Sequence, residues 1–154
     1  MSRPRRSPPT FLPPRRLDTP HLDEYKPEVT KAPMFREHIQ KLIDRLDGGI
    51  AGVLMGFDGI TVDSYARAGF GDALPDVQTL GMEFAHLVAA ARRTVESLDA
   101  GAMQELTIRT DAMTLVVQVL TQEYFLACAM LPAASVGKAR YLARMAAPKL
   151  QAEL

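Results

Sequence analysis

From residue 34 onward the apolar positions keep two periods, and each change of period marks an element. In Met34–Leu46, Phe35, Ile39, Leu42, Ile43 and Leu46 recur at helical spacing, with Pro33 ahead of them and Gly48-Gly49 behind. Ile50–Phe57 is a short run apolar on both faces, and Ile60–Arg67 alternates, with Ile60, Val62, Ser64 and Ala66 on one side and Thr61, Asp63, Tyr65 and Arg67 on the other. Asp58-Gly59 between them predicts a tight hairpin turn, because both residues accept positive φ. Residues 68–75, with Gly69, Gly71 and Pro75, read as a loop, and Asp76 as the N-cap of a long helix ending near Gly101. Its main stripe is Val77, Gly81, Phe84, Val88, Ala91, Val95 and Leu98, and Met82, Ala85 and Ala89 form a second stripe beside it. Three strands follow, Met103–Thr110, Thr114–Leu120 and Glu123–Leu131, and a last helix spans Ser135–Leu154. Pro148 is expected to kink that helix or fray its last turn.

The same patterns order the sheet. Strands apolar on both faces are covered on both sides and lie centrally, which places Ile50–Phe57 and Glu123–Leu131 inside and the alternating Ile60–Arg67 and Met103–Thr110 at the edges. With hairpin neighbours paired, the expectation is an α/β (α+β type) fold. It has a five-stranded antiparallel sheet of order 2-1-5-4-3, the long helix on one face and the two terminal helices on the other. The Met103–Thr110 edge then stays open and must be covered or paired. A stripe of mostly small residues suits close packing on another helix, and no other long helix of this chain is an obvious partner. A second copy of the chain is the natural candidate, with Met82, Ala85, Ala89, Leu106 and Ile108 at the interface.

Composition divides the chain. Eight of the eleven prolines lie within residues 4–33, and residues 1–33 carry seven basic against four acidic side chains, while the remainder carries eleven against fourteen. Residues 1–33 are therefore expected to be a disordered Pro/Arg-rich tail ahead of one domain, 34–154. With zero net charge the whole chain is not built for nucleic acid. No run of apolar residues is long enough to span a membrane, and no apolar segment follows the N-terminal arginines to make a secretory signal. Cys128 is the single cysteine, so an intrachain disulfide is excluded, and the expected location is the cytoplasm.

The order helix, two strands, helix, three strands, helix resembles that of roadblock (dynein light chain) domains. Three stretches carry the likeness: GGIAGVLMGFDGITVDS at 48–64, ELTIRTDAMTLVVQVLTQEYFLACAMLP at 105–132, and SVGKARYLARMAAPKLQAEL at 135–154. The last is similar to the closing helix of bacterial, MglB-like members. The resemblance covers Met34–Leu154. It implies a non-catalytic protein that dimerises through one continuous sheet and serves as a platform or regulator for a Ras-like small GTPase, or as a scaffold subunit of a larger complex.

Candidate chemistry changes this picture little. There is no P-loop; Gly137-Lys138 lacks the glycine-rich loop before it and reads as helix initiation. No HExxH or paired-cysteine spacing exists, so no metal or cofactor is expected. His86 lies off the long helix's apolar stripe and reads as exposed, and Cys128 reads as a small core residue. Arg92, Arg93 and Glu96 on the long helix are the candidate contacts to a partner; a solvated helix face also explains them. A small-ligand sensor would need a cluster of inward polar residues, which the pattern lacks.

Overall fold

The computed structural model describes residues 2–10, 34–69 and 76–154. It divides into two units, Met1–Ala32 and Pro33–Leu154. The expected disorder of the tail falls mostly on residues outside the described set, as does most of the loop expected at 68–75.

In the second unit α1 (Phe35–Asp44) buries Phe35, Ile39, Leu42 and Ile43. β1 (Gly49–Gly56) is buried at every position and pairs with β2 (Thr61–Ala66). The turn between them differs from the sequence expectation. Gly59 has φ of 87°, but Asp58 is outside the left-handed region. The Gly59 N–H donates to the Gly56 carbonyl at 3.0 Å, and the Gly56 N–H donates to the Ile60 carbonyl at 2.9 Å. Three residues, 57–59, therefore make the loop, and only the glycine needs positive φ. Asp58 Oδ1 accepts from the Ile60 N–H instead, at 3.0 Å. The β1–β2 register slips between Leu54 and Met55.

α2 (Val77–Ser97) follows, then β3 (Glu105–Arg109), β4 (Thr114–Val119), β5 (Tyr124–Met130) and α3 (Val136–Gln151). The five strands are antiparallel and ordered β2-β1-β5-β4-β3, as the hydrophobic pattern requires. α3 runs through Pro148 to Gln151.

Two cores sandwich the sheet. On one face α1 and α3 cover Leu54, Val116, Leu126, Cys128 and Met130. Burial pushes the Cys128 thiol up to about 12, so it is inert core, as its position on a central strand suggests. α1 comes closest to β1 at Gly52, where a Cβ would lie 2.5 Å from Ile39 Cγ2. On the other face α2 packs over Val53, Met55, Phe125 and Ala127. Apolar side chains point outward around β2: Ile60 just before it is 67% and Val62 on it 39% exposed, while Tyr65 on the opposite side packs against the α1–α3 core. Arg67, expected on a polar strand face, closes the end of α1 by donating from Nη2 to the carbonyls of Ile43 (3.1 Å) and Asp44 (3.0 Å).

Candidate functional site

The placement of α2 decides which surface is left open. Gly81, Ala85 and Val88 are buried at steps of four and three residues and form the line along which the helix rests on the sheet. The helix comes closest to β1 and β2, so it covers one half of its sheet face more fully than the other. Val77, Leu80 and Phe84 on its far flank line a shallow apolar recess together with Met113 and Leu115. Leu106, Ile108, Met103 and Met113 around β3 and β4 pack against the core but remain partly exposed. Leu87 is 48% exposed and continues the flank of Leu80 and Phe84 by helical spacing, as does Leu98 beyond it. An apolar helix flank thus overhangs an apolar strand pair, and the strand beyond, β3, is a sheet edge with an unpaired side.

The five residues expected at a self-interface separate on this geometry. Leu106 and Ile108 lie on the open half. Met82 and Ala89 lie about 160° and 140° around the helix from Phe84, by its 100° step, and so on the flank nearer β2. Met82 is half exposed there. Ala85 is 2% exposed and belongs to the core under α2, which corrects its assignment to an outward stripe. The physical reason is close approach. The small residues mark where the helix meets its own sheet, and the bulkier Phe84 and Leu87 stand to the side. Leu80, Phe84 and Leu87, which form the open flank, are not among the residues the sequence reading singles out for a self-interface. Their signal was present in the sequence as large apolar side chains three and four residues apart, outside the line of small ones.

The candidate partner contacts separate as well. Arg92 is engaged within the chain: its Cζ sits 3.7 Å from the Phe57 ring centroid, Nη1 donates to the Gln122 carbonyl at 2.5 Å, and Nε lies 3.8 Å from Glu96 Oε1. Phe57 in turn meets Phe125 with ring centroids 5.1 Å apart. Arg92 therefore fastens the second half of α2 to the β1–β2 turn, worth about 0.5–2 kcal/mol for the cation–ring contact. Arg93 is exposed and, among the described residues, has no carboxylate within salt-bridge reach. His86 is exposed, as its position off the stripe implies. Among the described residues no group of three or more His, Cys, Asp or Glu side chains is placed to hold a metal ion, and no helix is long and apolar enough to cross a membrane.

With this geometry the chain can be set beside known proteins. No family model matches it, and no curated protein does. Among solved structures, MglC from Myxococcus xanthus is 32% identical, covering 78% of this chain and 98% of its own, with a TM-score of 0.58. The gliding protein MglB from Thermus thermophilus is 20% identical, with a TM-score of 0.69 over 79% of this chain and 90% of its own. A Roadblock/LC7 domain from Streptomyces avermitilis is 16% identical, with a TM-score of 0.66 over 75% and 93%. The likeness to the last two is one of fold; the likeness to MglC extends to sequence.

Proposed function

The chain belongs to the roadblock/LC7 family, and from that premise we propose that it is a non-catalytic, dimeric protein-binding module of the cytoplasm that serves as a platform for, or regulator of, a Ras-like small GTPase. The observation that carries the dimer is the half-open face beside β3. Its exposed apolar side chains and the unpaired strand edge are continuous, so a second copy docked there would bury both at once. Each leucine fully buried is worth roughly 1.5–3 kcal/mol. The revised interface is Leu80, Phe84, Leu87, Leu106 and Ile108. The GTPase role is supported by family membership together with this extended docking face, and Arg93 is the charge left available for such a partner.

The test has two stages. Light scattering should give twice the chain mass for the wild type and the chain mass for Leu87→Arg. That residue is half exposed, so arginine there is tolerated by the folded protomer and opposes only the interface. GTP turnover by the Ras-like GTPases of the source organism is then followed with and without the wild-type chain. A dimer that changes turnover or holds a GTPase on a column supports the reading. A dimer that does neither leaves a scaffold subunit, and a wild-type monomer removes the homodimer altogether.

A further inference from the structure

On the other sheet face α1 and α3 run antiparallel, since Glu153 near the end of α3 accepts from the Met34 N–H at 2.8 Å and lies 3.8 Å from His38 at the start of α1. A groove of about 430 Å³ lies between the two helices. Leu42 and Leu142 are buried within it, and Tyr141 and Met145 stand on α3 beside it, one turn apart. Both are more than half exposed, although a tyrosine and a methionine four residues apart make an apolar ridge of the kind that docking surfaces use. The rim is basic. Lys41, Arg45 and Lys149 line the groove, and Asp44 is the one carboxylate that does. Asp44 is already occupied: its Oδ1 accepts from Tyr65 Oη at 2.9 Å and lies 3.8 Å from Arg67 Nε. Lys41 pairs with Glu37 at 2.8 Å, but Arg45 and Lys149 have no carboxylate partner among the described residues. Residues 34–154 as a whole carry more acidic than basic side chains, so this concentration of cations runs against the charge of the body around it.

We propose that the α1–α3 groove is a docking site for an acidic amphipathic helix of a partner protein. In this arrangement apolar side chains one turn apart on the partner meet Tyr141 and Met145, and carboxylates on either side of them meet Arg45 and Lys149. The groove is lined on one side by α1 and on the other by α3, which suits a single helical segment laid along it. Arg45 and Lys149, the two lining cations with no carboxylate partner among the described residues, give complementarity to such a segment but are too few for the phosphate array of a nucleic acid. The site lies on the opposite sheet face from the β3 flank, so it stands independently of the dimer and of any GTPase.

The experiment selects helical peptides from a displayed random library on the immobilised full-length chain and measures the winning peptide by fluorescence anisotropy. The expected winners carry Asp or Glu in excess of Lys and Arg, with Leu, Phe or Met at i and i+3 or i+4. Their affinity falls at least tenfold in Arg45→Glu/Lys149→Glu and in Tyr141→Ala/Met145→Ala, holds in Lys149→Arg, and weakens with salt. All these positions are at the surface, and circular dichroism checks that each variant is folded. Winners without acidic excess, or winners that bind the variants as well as the wild type, overturn the proposal. So does binding of anionic phosphatidylserine vesicles that the same charge reversals abolish, or a lower solution mass in Arg45→Glu/Lys149→Glu, which would make the groove a lipid or self-contact surface.

Discussion

Single residues set several of the joints between elements, and Asp99 is the clearest. α2 ends in a pair of bonds from the Ala100 N–H to the Val95 carbonyl (3.2 Å) and from the Asp99 N–H to the Glu96 carbonyl (3.1 Å). That pattern needs a left-handed residue at position 99, and Asp99 supplies it at φ of 54° where glycine is the usual choice. A side chain there costs the folded state about 1 kcal/mol in steric strain. Asp99→Gly relieves it, against a greater loss of chain entropy. The expected net result is a stabilisation of about 0.5 kcal/mol in urea unfolding, with unchanged m-value; a destabilised variant would mean that the aspartate carboxylate makes a compensating contact. At this scale the sequence was only partly legible. Cys128 as core and His86 as surface followed from their positions in a period. The tasks of Arg67 and Arg92 did not, because each reaches across to a helix end or a turn that only the folded chain brings near.

Elements were legible because two periods, 3.6 and 2, separate helices from strands almost without overlap here. What the period could not supply was rotation. For α2 the period puts Gly81, Phe84 and Val88 on the inward stripe, and the structure turns Ala85 inward beside Gly81 and Val88 while Phe84 stays partly exposed. Helical position alone gives a wheel of residues, and the choice of face depends on how closely the sheet lets the backbone come. Two glycines make that distance measurable. At Gly52 a methyl group would meet Ile39 Cγ2 at 2.5 Å and Ile43 Cγ1 at 3.3 Å, both on stiff β-branched side chains of α1. Gly52→Ala should therefore cost roughly 1–3 kcal/mol by forcing α1 away from the sheet. At Gly81 the methyl would meet the far end of Met55, a side chain with three rotatable bonds. Removing a glycine from a helix gains about 1 kcal/mol. Gly81→Ala is thus expected within about 1 kcal/mol of the wild type, and paired thermal melts of the two variants check the contrast. Equal losses at both sites would show that the two helix–sheet interfaces are equally unyielding.

For residues 34–154 as a whole, strand order was readable from which strands are apolar on both faces, and the helices fell on the predicted sides of the sheet. The unequal cover of the α2 face was not readable, since it follows from the position of α2 over β1 and β2. That asymmetry bears on stability as well as on binding. If the open half is closed by a second copy, folding and association are linked, and the wild-type melting temperature should rise by about 2–4 °C for a tenfold increase in protein concentration. Leu87→Arg should melt at a temperature independent of concentration; parallel behaviour of the two proteins would separate the open face from self-association.

The slipped register between Leu54 and Met55 has its own bearing on assembly. A sheet with two regular edges can add copies head to tail, and such additions grow into an open filament. Here β3 pairs with β4 in an unbroken register, whereas β2 is joined through an irregular hairpin and carries Asp63 in its middle, features that blunt an edge. Only one edge is then fit for strand pairing. If two copies join through it, as proposed, that edge is used up in both, the same contact serves each in turn, and the assembly closes on itself at two.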